Sequence, residues 1–304
     1  MPASATPQPL IQPTADHQPP PVAVIGLGAM GSGIASWLAE SGHLVHATDV
    51  DPAARTRVPA AVQLHDHLTD LAACPVWILS LPGPAQIRQV IEQLLDADDR
   101  NRPRTVVDTS TSDPALSSEL AARCDDRGID YVDAPVSGGR SGASTGTLTA
   151  FVGGSEAGVE RARSTLDAIT GGQWHYMGPA GTGHTTKLVN NMLCAAHLTT
   201  AAEAVALAQQ RGISVDRLIG AINHGSGRSA VTETNYPRWV LPGSFDSGFQ
   251  FQLMARDVRL FLDVAARTGI DPRVLAAAGD RWAAAADQLD GDDDFNRVVG
   301  TIRP

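Results

Sequence analysis

The sequence predicts an α/β protein, a doubly wound parallel sheet followed by an all-α C-terminal domain. Three observations carry that expectation. Short apolar strands alternate with helical stretches from Val22 to about Met177, which is the pattern of βαβ units. The first strand runs straight into a Gly-x-Gly-x-x-Gly turn, and beyond Gly181 the strand patterns stop in favour of long Ala- and Leu-rich helices.

Composition bounds the rest. A chain of 304 residues, 43% hydrophobic and 18% charged, suits one large or two ordinary globular domains. Its net charge of −10 argues against a nucleic-acid or anionic-membrane partner. No apolar run approaches the ~20 residues that span a bilayer. The three cysteines, Cys74, Cys124 and Cys194, are odd in number and lack metal-ligand spacing. They read as reduced thiols of a cytoplasmic protein without a metal. Residues 1–20, rich in Pro, Ala, Ser, Thr and Gln, read as a disordered tail. The first basic residue is Arg55, so neither a signal nor a transit peptide is expected. The two domains are expected over 21–179 and 180–304.

Taken in order, Val22 to Ile25 is a strand that enters the turn Gly26-Leu-Gly28-Ala-Met30-Gly31. The first glycine permits the tight turn, the second lets backbone approach a pyrophosphate, and the third allows close strand–helix packing. The helix N-terminus then faces the phosphates. This is the Rossmann arrangement. Gly42 ends that helix, and Leu44 to Asp49 is the second strand. Asp49 stands 23 residues after Gly26, placed to accept hydrogen bonds from the adenosine ribose and to repel a 2′-phosphate. No arginine follows it before Arg55, so NAD is expected in preference to NADP.

Val76 to Leu81 is continuously apolar, as a strand buried on both faces should be. Leu81 and Pro82 at its end are candidate cofactor contacts, and a helix follows over about 85–95. Thr105 to Ser110 and Ile129 to Asp133 are further strands, with a helix opened between them by Asp113-Pro114. Strands at 148–152 and 173–177 flank a helix at about 156–169. The stretch from Asp133 to Leu148 is glycine-dense and reads as a loop. It can be an ordinary surface loop, or its bare N–H groups can cradle a carboxylate with help from the Ser137 hydroxyl.

In the second half, His184 to Gln210 reads as one long helix, shorter helices follow over about 214–223 and 251–268, and Asp271-Pro272 opens a last one through the Ala-rich 275–286 segment. The long helix carries the only lysine of the chain, Lys187, although Lys and Arg together number 23. A buried ammonium can lose its proton near neutral pH, and a guanidinium cannot. Lys187, Asn190 and Asn191 fall on one face at i, i+3 and i+4. The histidines at 65, 67, 184 and 224 read as loop or helix-entry residues, and Asp292 to Asp294 as a solvated acidic turn.

Four segments, in order, resemble the β-hydroxyacid dehydrogenases, the group that contains 3-hydroxyisobutyrate dehydrogenase. They are Gly26 to Gly31 with Met30, Asp133 to Gly139, Gly181 to Asn191, and Phe249 with Arg256-Asp257-Val258. The resemblance runs from about Val22 to the C-terminus. It implies that Ser137, Gly138 and Gly139 hold a substrate carboxylate, that Lys187 is the catalytic acid/base, and that Asn191 positions the substrate hydroxyl. Ser110 and Thr111 match the segment beside nicotinamide and substrate, and Phe249 and Asp257 match residues that close over the cofactor. It further implies a homodimer or homotetramer acting on a small carboxylate substrate. Arg256 departs from the family, which has lysine there. The related imine reductases replace the catalytic lysine, which this chain keeps. A binding module without catalysis would have no need of Lys187 with Asn191.

Overall fold

A computed structural model describes residues 19–98 and 102–302; the tail expected over 1–20 lies almost wholly outside the described residues. The N-terminal half alternates as the sequence pattern requires. β1 (Val22–Ile25), β2 (Val45–Thr48), β3 (Gln63–Leu64), β4 (Val76–Leu79), β5 (Thr105–Asp108) and β6 (Asp130–Asp133) all pair in parallel. α1 (Ala29–Glu40), α2 (Pro52–Arg55), α3 (Pro84–Asp96) and α4 (Pro114–Asp125) connect them. The chain then continues through β7 (Val136–Ser137), α5 (Gly139–Thr145), β8 (Thr149–Gly153), α6 (Glu156–Thr170) and β9 (Trp174–Gly178).

The sheet order is β3-β2-β1-β4-β5-β6-β8-β7, with β9 also paired to β8. β6 and β7 both run antiparallel to β8, and β9 runs parallel to it. Strand order reverses at β1, so a crevice opens at the carboxyl ends of β1 and β4, where ligands bind such sheets. Both faces are covered: Val22 and Val24 point into one apolar layer, Ala23 and Ile25 into the other. This accounts for strands that are apolar throughout.

From Gly181 the chain is helical. α7 (Thr182–Gln210) is 29 residues long, and is followed by α8 (Val215–Ile222), a π-helix (Val231–Val240), α9 (Phe251–Arg267), α10 (Arg273–Ala285) and a 3-10 helix (Phe295–Thr301). α7, α9 and α10 enclose a third core containing Met192, Phe251 and Trp282, whose last two rings stack at 5.6 Å.

Three features depart from the sequence expectation. The glycine-dense stretch after Ser137 is not a loop throughout but turns into α5. Its Ala143 packs directly on Gly33 of α1, a contact that a side chain at 33 would obstruct. Residues 231–240, which carried no periodic signal, form the π-helix around Pro237; the wider ring is closed by Leu241 N–H donating to Tyr236 O at 2.8 Å. Asp294 is buried rather than solvated. Its Oδ1 accepts from Asn296 N–H at 3.0 Å, and its Oδ2 accepts from the Ser247 hydroxyl.

Candidate active site

The phosphate turn is shaped by close approach. A Cβ on Gly31 would overlap the carbonyl of Gly26, and one on Gly26 would overlap that of Ser80, whereas Gly28 faces open space. α1 begins at Gly28 with no side-chain cap and no acid in its first turn, so its leading N–H groups are left for an anion. Asp49, just beyond β2, is oriented by backbone: Oδ2 accepts from Leu27 N–H at 2.6 Å and Oδ1 from Asp51 N–H at 2.8 Å. Arg55 pairs with Asp66 and donates from Nε to Asp49 O at 2.7 Å, and Arg57 donates to Leu27 O.

Next to this turn, the ends of β4 and β5 are tied together by Leu81 N–H donating to Ser110 Oγ at 2.9 Å. Ser110 O in turn faces His184 Nε2 at 3.0 Å. A carbonyl only accepts, so Nε2 carries a proton, while Nδ1 meets Ser117 Oγ at 2.6 Å. The position of α7 is set by Asp133, at the end of β6 and fully buried. Its two oxygens accept from Gly181 N–H at 2.8 Å and His184 N–H at 2.9 Å. Burial pushes the Asp133 carboxyl upward, opposed by the His184 ring and those two N–H donors. A Cβ on Gly183 would overlap the backbone of Phe151 and Asp133, so the helix start lies against the sheet.

One turn further along α7, Lys187 is 7% exposed. Burial lowers its pKa from the ordinary value of 10.5, assisted by Arg256 and opposed by Asp257 and Cys194. Asn191 donates from Nδ2 to Asp257 Oδ2 at 2.7 Å. Asp257 Oδ1 accepts a fork from Arg256, Nε at 3.0 Å and Nη2 at 2.8 Å. The third nitrogen of that guanidinium donates to Pro82 O in the β4–α3 turn. A lysine at 256 offers one nitrogen and could not make this fork and also cross to Pro82.

These parts face one cleft of about 1250 Å³ between the sheet and the helices. Every residue singled out from the sequence lines it except Gly31 and Asp257. Gly31 stands behind Gly26 as a packing residue. Asp257, expected to touch the cofactor, is 1% exposed and stands behind Asn191, which it orients. Gly138 and Gly139 take φ values of 123° and 62°, so the backbone after Ser137 adopts a bend that side chains disfavour. A cleft with a glycine turn at one end, a buried amine at the other and a serine-glycine bend beside it suits a dinucleotide and a small carboxylate. The sequence reading gave Asp133 no role of its own, since its partners lie 48 and 51 residues away, and it missed Arg238 and Trp239, which reach the wall from the unforeseen π-helix.

Known proteins resemble this chain in sequence and fold. The sequence model described as the NAD binding domain of 6-phosphogluconate dehydrogenase matches residues 21–178. The one described as NAD-binding of NADP-dependent 3-hydroxyisobutyrate dehydrogenase matches residues 181–302. A probable 3-hydroxyisobutyrate dehydrogenase of Mycobacterium tuberculosis is 34% identical over 295 residues, covering 93% of this chain and 97% of the relative. The 2-(hydroxymethyl)glutarate dehydrogenase of Eubacterium barkeri is 32% identical over 281 residues, covering 91% of this chain and 93% of the relative. Among solved structures, the Mycobacterium tuberculosis 3-hydroxyisobutyrate dehydrogenase with L-serine superposes with a TM-score of 0.86 at 32% identity, covering 94% of this chain and 99% of that one. A Streptomyces aurantiacus imine reductase, at 21% identity and TM-score 0.61 over 93% of this chain and 100% of that one, shares the fold. With two domain matches that together span nearly all described residues, and relatives matched end to end, the chain belongs to the β-hydroxyacid dehydrogenase family and is an NAD(P)-dependent oxidoreductase of hydroxy acids.

Proposed function

We propose that the protein interconverts a small 3-hydroxy acid of the 3-hydroxyisobutyrate kind and its semialdehyde or keto form, prefers NAD, and uses Lys187 as general acid/base. The observation that carries this is the burial of the sole lysine at the wall of the cleft, beside Asn191 and with its pKa lowered. The glycine turn, Asp49, Leu81, Pro82, Ser110 and Phe249 would hold the dinucleotide. When bound, its nicotinamide supplies the hydride acceptor or donor. Ser137 and the backbone of Gly138 and Gly139 hold the substrate carboxylate, with Thr111 beside them. Asn191, fixed by Asp257, directs its remaining amide hydrogen to the substrate oxygen. In the oxidative direction the neutral Lys187 amine takes the hydroxyl proton, and in reduction the ammonium returns it to the same oxygen. General acid–base help of this kind contributes ~10²–10⁴-fold.

The preference for NAD rests on Asp49, held where a 2′-phosphate would meet a carboxylate, with Arg55 already engaged by Asp66. The last strand ends at Gly178 and α7 begins at Thr182, which supports units over 21–179 and 180–304. The reading extends to a cytoplasmic homodimer or homotetramer. It is supported by three unpaired thiols and by Val189, Leu193 and Leu207, exposed along α7.

The test is NADH formation at mildly alkaline pH over 3-hydroxyisobutyrate, glycerate, threonate, serine and 3-hydroxypropionate, with NAD and NADP run side by side. Turnover with NAD, a lower kcat/KM with NADP, and loss of ~10²-fold or more in Lys187→Ala are expected. No turnover on any acid, with imines reduced instead, would overturn the reading.

A further inference from the structure

The wall of the cleft is divided by charge. Its acidic residues, Asp49, Asp51 and Asp66, stand at the nucleotide end with Arg57. The remainder, built from the segment after Ser137 and from the helical half, carries Arg140, Lys187, Arg238 and Arg256 and no acidic residue. Two of these cations are accounted for. Arg256 is neutralised by Asp257, and Lys187 is within the influence of the same carboxylate. Arg140 and Arg238 are exposed and, among the described residues, have no ion pair to any acid. Arg57, at the nucleotide end, also lacks an acid partner among the described residues and donates to Leu27 O; what sets Arg140 and Arg238 apart is that no acidic side chain shares their part of the lining.

Both side chains are braced. The aliphatic part of Arg140 passes Gly248, where a Cβ would stand 3.7 Å from Arg140 Cδ. The Arg238 guanidinium lies 5.4 Å from the Trp239 ring centroid. A monocarboxylate needs one anion subsite, and the Ser137–Gly139 bend already supplies it.

We infer that the substrate carries a second anionic group, and that Arg140 and Arg238 receive it. The substrate class is thus a hydroxy acid with a further carboxylate or phosphoryl group, read by planar guanidiniums suited to either. This rests on the proposed placement of the first carboxylate at Ser137 to Gly139.

Binding of non-reacting acids to the full-length protein loaded with NADH tests it by calorimetry. The probes are isobutyrate, methylsuccinate and 2-methyl-3-phosphonopropionate. Either dianion is expected to bind at least ~tenfold more tightly than isobutyrate, as a hydrogen-bonded charged group adds. The tighter of the two names the group. R140Q and R238Q should each remove most of that advantage, and raised salt should shrink it. Ser137→Ala, by contrast, should weaken monoanion and dianion alike. Dianions no tighter than isobutyrate, or an advantage that survives R140Q/R238Q combined, would overturn the second subsite while leaving the dehydrogenase reading intact. If Ser137→Ala leaves all three affinities unchanged, the first carboxylate site fails and the second falls with it.

Discussion

Lys187 combines a titratable amine with a position that water hardly reaches, and its burial is the largest influence on its pKa. Folding therefore disfavours its charged form. Because the folded pKa lies below the unfolded one, the unfolded chain binds more protons between the two values, and stability rises with pH across that window. The cost of the buried ammonium is fully present below the folded pKa and vanishes as pH passes the ordinary lysine value of 10.5. Lys187→Met is accordingly expected to melt at a higher temperature than the wild type at pH 7, by a margin that shrinks towards pH 10. A variant that melts lower at pH 7, or a gap that ignores pH, would show that Asp257 compensates the charge in full. The neighbouring Cys194 thiol is pushed up to about 11 by burial, so it stays protonated through most of that range.

At the scale of elements, the joint between β6 and α7 delivers Lys187 to the cleft. Asp133 serves α7 as a cap does, although it lies on another element and caps from the sheet rather than from the residue before the helix. Asp133→Ala would leave two buried N–H groups unsatisfied, at ~1–3 kcal/mol each. The expected result is a fall of several degrees in melting temperature together with a loss of turnover; an unchanged melt would remove Asp133 from this role. The joint was only half legible in the sequence. The Gly181-x-Gly183 turn and the long helix show in local pattern, and His184 reads as a helix-entry residue. The acid that holds them is remote in sequence and gives no periodic signal. The same holds for Asp294, which reads as one of three solvated aspartates until the 247–249 segment folds onto it. α5 escaped because its helix is built of glycine and serine, which mark loops, and survives by packing on α1. The π-helix escaped because its wider turn and Pro237 match neither period.

On the scale of the whole molecule, the parallel sheet and the helical half each obey rules visible in sequence: apolar strands buried on two faces, and helices with an apolar stripe. What places the halves around one cleft is tertiary. Arg256 spans it, binding Asp257 on its own side and Pro82 on the other. In the proposed reaction, burial, the oriented amide and the serine-glycine bend all serve a single proton transfer at Lys187. The pH dependence of kcat/KM for hydroxy-acid oxidation with NAD examines that step, in wild type and Lys187→Arg. In the wild type the rate should rise with pH through one ionisation below the ordinary lysine value and then level off. The arginine variant should lose ~10²-fold or more and show no such ionisation. An arginine variant with a wild-type rate and the same pH profile would contradict proton transfer at Lys187 and reduce it to a fixed positive charge.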